Sequence, residues 1–183
     1  MSRFGRWMVN GRTESRARKV LARLGPNFEL SPSAQVLELG AGRAGLVALL
    51  YERYHPARLV GTDFDAAQVA SAEEFLLGRW GHLPQSVELR EADALALPFP
   101  GSSFDYVFAM MMLHHVEHRH TDYVRRPQAL REIQRVLRPH GVLVYSDMTR
   151  REEIRRSLID LGFTQLFLRP GWRSELAVYR APN

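Results

Sequence analysis

The stretch that decides the fold of this chain is Val36-Leu37-Glu38-Leu39-Gly40-Ala41-Gly42-Arg43-Ala44-Gly45. It joins a short apolar run to closely spaced glycines, and a helical pattern begins inside it. Glycine lets the backbone approach a ligand closely, and the first turn of a helix presents free N–H groups. This strand, turn and helix therefore predict a binding site for a nucleotide-type cofactor.

The same alternation of strand and helix continues along the rest of the chain. Strands are predicted at residues 35–39, 58–62, 86–90, 106–110, 141–146, 163–168 and 176–179, and helices from the glycine turn to about 53 and at 66–77, 127–137 and 151–161. Strict alternation indicates a mostly parallel sheet covered on both faces, whereas the last two runs follow one another and should pair as a hairpin. The predicted fold class is α/β: a doubly wound, seven-stranded, mostly parallel sheet with a C-terminal antiparallel hairpin. No linker interrupts it, so residues 1–183 are predicted to form a single domain with its core at 35–183.

Composition excludes several classes of protein. The chain has 183 residues, of which 45% are hydrophobic, and this is enough for one globular domain with a substantial core. It has no cysteine, which rules out disulfides, thiolate metal sites and a cysteine nucleophile. No apolar run approaches the roughly 20 residues of a membrane-spanning helix, so no membrane span and a cytoplasmic location are expected.

Positive charge is concentrated at the N-terminus rather than spread over the chain. The net charge is +5, but residues 1–25 hold seven basic side chains and a single acid, Glu14. Because the excess lies in one arm, a basic face that binds nucleic acid is not expected. From Glu14 to Leu24, apolar side chains recur at helical spacing until Gly25-Pro26, which predicts a basic helical arm with one face on the body.

Two classes of cofactor fit the glycine turn. Its three glycines match the G-x-G-x-x-G pattern of nicotinamide-dependent oxidoreductases, which is weak evidence alone. Asp63 closes the second predicted strand about 20 residues later, where a carboxylate can hold two ribose hydroxyls in either class. Glu38 and Asp93 instead favour a cofactor that contains adenine but is not a nicotinamide dinucleotide. A carboxylate after the third strand can accept from the exocyclic amine of adenine, and the dinucleotide pattern requires no acid there.

Several further blocks of sequence carry a family resemblance. In chain order they read Val60-Gly61-Thr62-Asp63, Asp93-Ala94-Leu95-Ala96-Leu97-Pro98-Phe99-Pro100, Ser103-Phe104-Asp105, Leu113-His114-His115-Val116 and Leu130-Arg131-Glu132-Ile133-Gln134-Arg135-Val136-Leu137-Arg138-Pro139-His140-Gly141. Together with the opening stretch, they resemble class I S-adenosylmethionine-dependent methyltransferases in order and spacing, and the methyltransferase type 11 subgroup most closely. The resemblance covers residues 35–162 and implies a Rossmann-like methyltransferase fold. Ala44 and His140 replace glycines that the family usually has, and neither change removes a side chain that contacts ligand.

The resemblance implies a role for each residue that matches a family motif. S-adenosylmethionine would be the cofactor and S-adenosylhomocysteine the product. The implied contacts are Glu38, Gly40, Ala41 and Gly42 at the methionine end, Asp63 at the ribose, Phe64 over the adenine, Asp93 and Ala94 at the adenine edge, and Ala109 and Met110 beneath the sulfonium. The next two residues, Met111 and Met112, are assigned to core packing.

A histidine-rich stretch, Leu-His-His-Val-Glu-His-Arg-His, follows the fourth predicted strand at 113–120. One interpretation is a metal site that includes His114, Glu117 and His118. No other acidic or histidine cluster supplies the remaining ligands, so no metal is expected. The other functional interpretation is that His115, or less readily His114, faces the acceptor pocket as a general base.

The sequence favours a small-molecule acceptor without identifying it. Enzymes of this fold that methylate an exocyclic amine of a nucleic-acid base carry an Asn/Asp-Pro-Pro-aromatic turn after the fourth strand, and this chain has Ala109-Met110-Met111-Met112 there. Methylation of pyrimidine carbon 5 needs a cysteine. The predicted function is therefore methyl transfer from S-adenosylmethionine to an O, N or C atom of a small molecule. The alternatives are a nicotinamide-dependent oxidoreductase and a non-catalytic S-adenosylmethionine-binding module.

The N-terminal arm is predicted to be part of the pocket lid. No long cap is inserted in the core, so a lid must come from the arm, the histidine-rich loop or the second subunit of a homodimer. Trp7, Met8 and Val9 would have no reason to be exposed on an isolated arm.

Deleting residues 1–10 should leave the protein folded by circular dichroism while turnover and affinity for S-adenosylhomocysteine fall. Full turnover of the truncated protein would contradict the lid, and unfolding would show that the arm anchors the body instead.

Overall fold

The computed structural model describes residues 3–26, 28–116, 125–172 and 174–183, with the backbone alone described at 3–13. Strands in the described chain are β1 (Gln35–Leu39), β2 (Arg58–Asp63), β3 (Val87–Glu91), β4 (Phe104–Met110), β5 (Leu137–Asp147), β6 (Thr164–Arg169) and β7 (Glu175–Arg180). Helices are α1 (Arg3–Leu24), α2 (Gly45–Tyr54), α3 (Ala66–Trp80), α4 (Arg125–Val136) and α5 (Arg151–Asp160). Each predicted strand and helix corresponds to one of these elements.

The strands form one sheet with the order β3-β2-β1-β4-β5-β7-β6. Neighbours among β1 to β5 run parallel, whereas β7 is antiparallel to both β5 and β6. The predicted fold class is therefore confirmed. The chain order reverses at β1, because β2 lies on one side of it and β4 on the other. In open α/β sheets, ligands bind in the crevice outside the carboxyl ends of the strands at such a switch point.

Apolar side chains pack on both faces of the sheet. Leu37 and Leu39 of β1 belong to one buried cluster, which includes Ile133 of α4 and Leu158 of α5. Val36 belongs to the opposite cluster, which is formed with α1, α2 and α3. Because successive residues of a strand point to opposite faces, a strand covered on both sides is apolar along its whole length. This explains why the predicted strands are continuous apolar runs.

Several elements extend beyond their predicted bounds, and α4 and β5 show why. α4 begins at Arg125, and Pro127 is tolerated there because the N–H groups of the first helical turn have no acceptor within the helix. β5 begins at Leu137, which pairs with Phe104 before a shift of register between β4 and β5. His140 has a φ of 62° inside this interruption. The irregular backbone explains why the sequence pattern places the start of β5 several residues later.

β6 forms one edge of the sheet. Its residues Thr164, Gln165 and Leu166 are exposed. The pairing with β7 also shifts register between Gln165 and Phe167. The outer strand is therefore irregular, and both polar and apolar side chains are exposed along it.

The C-terminal half of α1 packs on the body with the predicted face. Ala17 and Leu21 are buried in the cluster that includes residues of α2. Residues 7–9, on which the lid prediction depends, lie outside the part of the chain whose side chains are described. The role of the arm as a lid therefore stays a prediction.

Packing of α2 against the sheet depends on a glycine in β2. A Cβ atom at Gly61 would lie 2.8 Å from Cγ2 of Val47 and 2.9 Å from Cδ2 of Leu89. Gly61→Ala should therefore lower the free energy of unfolding by about 1–3 kcal/mol, as expected for overpacking, when measured by urea denaturation.

The matched control is Gly78→Ala on α3, where a Cβ atom would meet nothing within 4 Å. The free energy of unfolding of this variant should rise by about 0.5–1 kcal/mol, because alanine is the better helix former. Equal stability of the two variants would contradict the packing argument.

Candidate functional site

The carboxyl ends of the strands border a cavity of about 430 Å³ at the switch point. Its polar lining includes Thr62, Asp63, Asp93, His115 and Arg125, and its apolar lining includes Phe64, Leu95, Met111, Met112 and Val116. The acids come from the ends of β2 and β3, whereas histidine and arginine come from the β4 side. The two ends of the cavity therefore differ in charge.

The glycine turn after β1 is tightly constrained. Gly40 has a φ of +67°, and a Cβ atom there would lie 2.6 Å from Cβ of Met112. Only glycine fits this position, because the close approach leaves no room for a side chain and the left-handed conformation would add strain. Ala44, which replaces a family glycine, also adopts a left-handed conformation, with a φ of 56° at the N-cap of α2. Ala44 thus keeps the left-handed backbone conformation that glycine favours at this position.

Asp63 joins the end of β2 to the glycine turn. The N–H of Gly42 donates to Oδ2 of Asp63 at 2.9 Å, and the N–H of Asp65 donates to Oδ1 at 3.1 Å. Asp65 in turn caps α3 by accepting from the N–H of Ala67. The carboxylate of Asp63 is therefore fixed on the cavity wall by two backbone donors.

Asp93 and Phe64 complete the same end of the cavity. Oδ1 of Asp93 accepts the N–H of Leu95 at 2.9 Å, which holds the loop after β3 as an Asx turn. The ring of Phe64 is 73% exposed, which is unusual for a large apolar side chain. Both residues line the cavity with Asp63, so the fold brings together the residues that were predicted to contact adenine and ribose.

Glu38 is buried on the sheet face that packs against α2. Burial raises the pKa of Glu38 to about 8, with a further increase from the nearby negative charge of Asp63, whereas the N–H of Val47 opposes the shift. Oε2 of Glu38 has no hydrogen-bond partner. The side chain is therefore a buried carboxyl that keeps its proton near neutral pH.

The structure brings only some of the predicted site residues to the cavity wall. Gly40, Asp63, Phe64, Asp93, Ala94 and His115 line it, whereas Glu38, Ala41, Gly42, Ala109, Met110 and His114 do not. Ala109 is fully buried below the wall.

Met111 and Met112 occupy the positions on the cavity wall that were expected for Ala109 and Met110. Met111 has a φ of 56°, and its N–H donates to the carbonyl of Ser146 at 2.7 Å. This turn presents Met111 and Met112 to the cavity. Met112 also packs against the core cluster, as expected, and the position of both residues on the wall follows from a left-handed methionine, which has no sequence signal.

Of the two adjacent histidines, His115 lines the cavity and His114 packs against it. The ring of His115 packs on the ring of His114 with centroids 3.9 Å apart. Nδ1 of His114 is 2.9 Å from Oδ1 of Asp147, although the contact is bent and does not form a regular hydrogen bond. Sequence reasoning missed Asp147. The available signal was an acid directly after an apolar strand, the same pattern that identified Asp63.

Two negative findings hold for the described residues. No helix there combines the length and the apolar character needed to cross a bilayer. No three histidine or acidic side chains there are grouped closely enough to hold a metal ion. Glu117 and His118, on which the metal interpretation depends, lie outside the described residues.

A second depression of about 620 Å³ lies between α4 and α5. Its charges are matched by neighbours of opposite sign, since Glu153 lies 3.3 Å from Arg126 and 3.1 Å from Arg150. The depression is larger than the cavity at the switch point, but its lining comes from the two helices and the residues around them. We therefore place the functional site at the cavity.

Comparison with known proteins identifies the family. A family model described as a methyltransferase domain matches residues 37–145. The chain therefore belongs to the methyltransferase domain family, and the resemblance inferred from the sequence motifs is confirmed.

Individual relatives and structures extend this similarity. The chain is 34% identical over 144 residues to phthiotriol/phenolphthiotriol dimycocerosates methyltransferase 1 of Mycobacterium ulcerans, covering 79% of this chain and 48% of the relative. It is 33% identical over 135 residues to the fatty-acid O-methyltransferase of Mycolicibacterium smegmatis, with coverages of 72% and 44%. The chain thus spans about half the length of the curated relatives it matches. The PH0226 protein of Pyrococcus horikoshii shares the fold, with a TM-score of 0.76 at 21% identity over 91% of this chain and 90% of that one.

The buried carboxyl of Glu38 gives a pH-dependent prediction. Between its ordinary pKa of 4.5 and about 8, the folded protein holds one more proton than the unfolded chain. Stability should therefore fall as the pH rises through this window, by up to about 1.4 kcal/mol per pH unit. Glu38→Gln removes this loss, so its stability relative to the unmodified protein should rise from about pH 5 to about pH 8 in urea denaturation.

The control is Glu73→Gln on the exposed face of α3. Its stability difference from the unmodified protein should stay constant over the same pH range. A constant difference for Glu38→Gln as well would contradict the buried protonated carboxyl.

Proposed function

We propose that this protein transfers a methyl group from S-adenosylmethionine to a small molecule with an apolar body. The observation that carries the proposal is the cavity at the switch point, where Asp63 and Asp93 lie beside a glycine turn at one end and apolar side chains line the other. Membership of the methyltransferase domain family supports methyl transfer as the reaction. Family membership also disfavours the nicotinamide-dependent alternative.

The residues present fit S-adenosylmethionine in three respects. The buried Oε2 of Glu38 has no hydrogen-bond partner, and a cationic group such as an ammonium would satisfy it. The carboxylate of Asp63 suits a ribose diol, because it can accept charge-assisted hydrogen bonds from two hydroxyls. The exposed ring of Phe64 suits stacking on adenine.

The chain needs to supply alignment rather than a nucleophile. When bound, S-adenosylmethionine supplies a methyl group that is already activated on a sulfonium. The protein then has to hold the acceptor in line and exclude water, which lowers the entropy cost of the reaction. The glycine turn and Asp63 would hold the cofactor at one end of the cavity. The acceptor would lie against Met111, Met112 and Val116 at the other end.

The acceptor end of the cavity suits an apolar molecule. Leu95, Met111, Met112 and Val116 line it, and methionine adapts its shape readily to a bound ligand. The cavity of about 430 Å³ is the size of a pocket for one drug-sized ligand, so part of a long acceptor would lie at the mouth. The similarity to a fatty-acid O-methyltransferase supports an acceptor of this kind.

Some acceptors also require proton removal. A carboxylate can attack the methyl group directly, whereas a hydroxyl or a protonated amine must lose a proton. His115 lines the apolar end of the cavity and His114 packs against it, so these are the groups that could take it. The protein is thus equipped for both classes of oxygen acceptor.

Asp63→Ala tests cofactor binding. The variant should bind S-adenosylhomocysteine about a hundredfold more weakly in isothermal titration calorimetry, because it loses charge-assisted hydrogen bonds of roughly 1.5–3 kcal/mol each. Circular dichroism should show a folded protein. Asp160→Ala, on the exposed end of α5, should bind like the unmodified protein. Unchanged affinity in Asp63→Ala would contradict the ribose contact.

Turnover tests the reaction itself. The purified protein is incubated with methyl-labelled S-adenosylmethionine and a panel of fatty acids, long-chain alcohols, quinols and cell extract, and label is expected in the organic phase. Binding of NAD(H) without binding of S-adenosylhomocysteine would overturn the proposed function. Binding of S-adenosylhomocysteine with no labelled product from any acceptor would instead indicate a non-catalytic binding module.

A further inference from the structure

The end of β6 and the start of β7 lie at the same edge of the sheet as the cavity. Because β7 runs antiparallel to β5, its first residue, Glu175, pairs with Asp147 at the carboxyl end of β5. Arg169, the last residue of β6, pairs with Leu176 beside it. The carboxyl ends of the parallel strands also border the cavity. A surface formed between β6 and β7 therefore faces whatever approaches the protein from the cavity side.

Three arginines converge at this place on backbone carbonyls. Nη2 of Arg23, in the last turn of α1, donates to the carbonyl of Arg169 at 2.7 Å, and Nη1 of Arg169 donates to the carbonyl of Arg23 at 3.1 Å. Nη1 of Arg151, the first residue of α5, donates to the carbonyl of Gly171 at 2.9 Å. A guanidinium has five N–H donors, so these contacts fix the positions of the charges and leave donors for another group.

The positive charge of these three arginines is not matched by ion pairs. Within the described ranges of the chain, no acidic side chain forms an ion pair with any of them, and the acids of α5 and β7 have other partners. Glu153 lies 3.3 Å from Arg126 and 3.1 Å from Arg150. Glu175 lies 2.9 Å from Arg155. This part of the surface therefore attracts anions.

Two exposed apolar side chains accompany the arginines. Trp172 follows Gly171 directly and is 92% exposed, which is the largest exposure of any large apolar side chain in the described chain. Met148, which follows Asp147 at the end of β5, is 46% exposed. Large apolar side chains are usually buried, and tryptophan is favoured where one side is apolar and the other is wet, as at the surface of a bilayer.

The combination of charge and apolar exposure identifies the kind of partner. Arginine can bury its apolar stem while its guanidinium contacts a phosphate. A nucleic acid would satisfy the arginines and stack on the indole, but it offers no apolar medium for Met148. The headgroup region of an anionic membrane offers phosphates for the arginines and apolar surroundings for both Trp172 and Met148.

We propose that Arg23, Arg151, Arg169, Met148 and Trp172, here called the hairpin patch, dock the protein on an anionic lipid surface. The two apolar side chains enter the headgroup region, and the arginines contact lipid phosphates. This docking goes beyond the proposed function and does not depend on it. Combined with methyl transfer, it holds the edge that carries the cavity against a membrane, where an apolar acceptor dissolves.

The first test is flotation of the whole protein with vesicles. Vesicles of phosphatidylglycerol and phosphatidylcholine should carry the protein at about 0.1 M NaCl, whereas vesicles of phosphatidylcholine alone should not. At about 1 M NaCl, where the Debye length is only about 3 Å, most of the binding should be lost. Absence of binding to the anionic vesicles would overturn the proposal, as would equal binding to both kinds of vesicle.

Single variants test whether the hairpin patch carries the binding. Arg169→Gln should weaken vesicle binding about fivefold, as expected for one arginine beside an anionic surface. Trp172→Ser should weaken it on the order of tenfold, because an aromatic ring no longer leaves water. Unchanged binding in both variants would overturn the proposal.

Each variant has a matched control at the opposite edge of the sheet. Arg180→Gln removes an exposed arginine at the other end of β7, and Ile159→Ser removes a side chain that is 61% exposed near the end of α5. Both controls should bind vesicles like the unmodified protein. Losses in the controls as large as those in Arg169→Gln and Trp172→Ser would show that charge or apolar surface acts without regard to position, and would overturn the proposal.

Fluorescence quenching locates the indole in the bound state. Lipids brominated in the upper acyl chain should quench the unmodified protein, and Trp172→Phe should lose this quenching while its other two tryptophans still emit. Equal quenching in Trp172→Phe would overturn the proposal. If Arg169→Gln fails to fold by circular dichroism, the quenching and the binding of Trp172→Ser still decide.

Two further measurements separate this proposal from its neighbours. Binding to duplex DNA at about 0.1 M NaCl without binding to vesicles would assign the hairpin patch to a nucleic acid and overturn the lipid surface. Affinity for S-adenosylhomocysteine should be unchanged in Arg169→Gln and Trp172→Ser, because neither residue lines the cavity. Failure of the unmodified protein to bind S-adenosylhomocysteine would count against the proposed function and leave the vesicle result intact.

Discussion

The hydrogen bond from the N–H of Gly42 to the carboxylate of Asp63, 2.9 Å long, is the contact on which the site depends. It connects the turn after β1 to the end of β2 and so fixes one side of the switch point. On the other side, Gly40 leaves no space for a Cβ atom next to Met112, which follows β4. The turn is therefore held between the two neighbours of β1, and the cavity takes its shape from contacts among three strands.

Acidic residues near the carboxyl ends of the strands define the electrostatics of this edge of the sheet, and each is stabilised differently. Glu38 of β1 keeps its proton because burial raises its pKa, whereas Asp63 of β2 is part-buried on the cavity wall and accepts two backbone N–H groups. Asp147 of β5 faces an imidazole. A single edge thus carries carboxyl groups in different surroundings, because backbone donors and burial differ from strand to strand.

How much of the structure and the site can be predicted from the sequence depends on how far apart the interacting residues lie along the chain. The strands, the glycine turn and Asp63 follow from local pattern and spacing, because each is encoded within one strand–turn–helix unit. The wall positions of Met111 and Met112 depend on a left-handed residue after β4, which sequence patterns assign to glycine. The contact between Asp147 and the backbone N–H of His114 joins the end of β5 to the loop after β4, so it becomes visible only in three dimensions.

The irregular pairing of β6 has a consequence for self-association. An outermost strand presents unpaired N–H and C=O groups, and a long regular one can recruit another sheet. Here the register breaks between Gln165 and Phe167, and the exposed Thr164 and Arg169 flank the break. A second molecule would meet a strand without a continuous ladder of hydrogen bonds. Growth of the sheet from molecule to molecule, and with it fibrous aggregation, is therefore disfavoured at this edge.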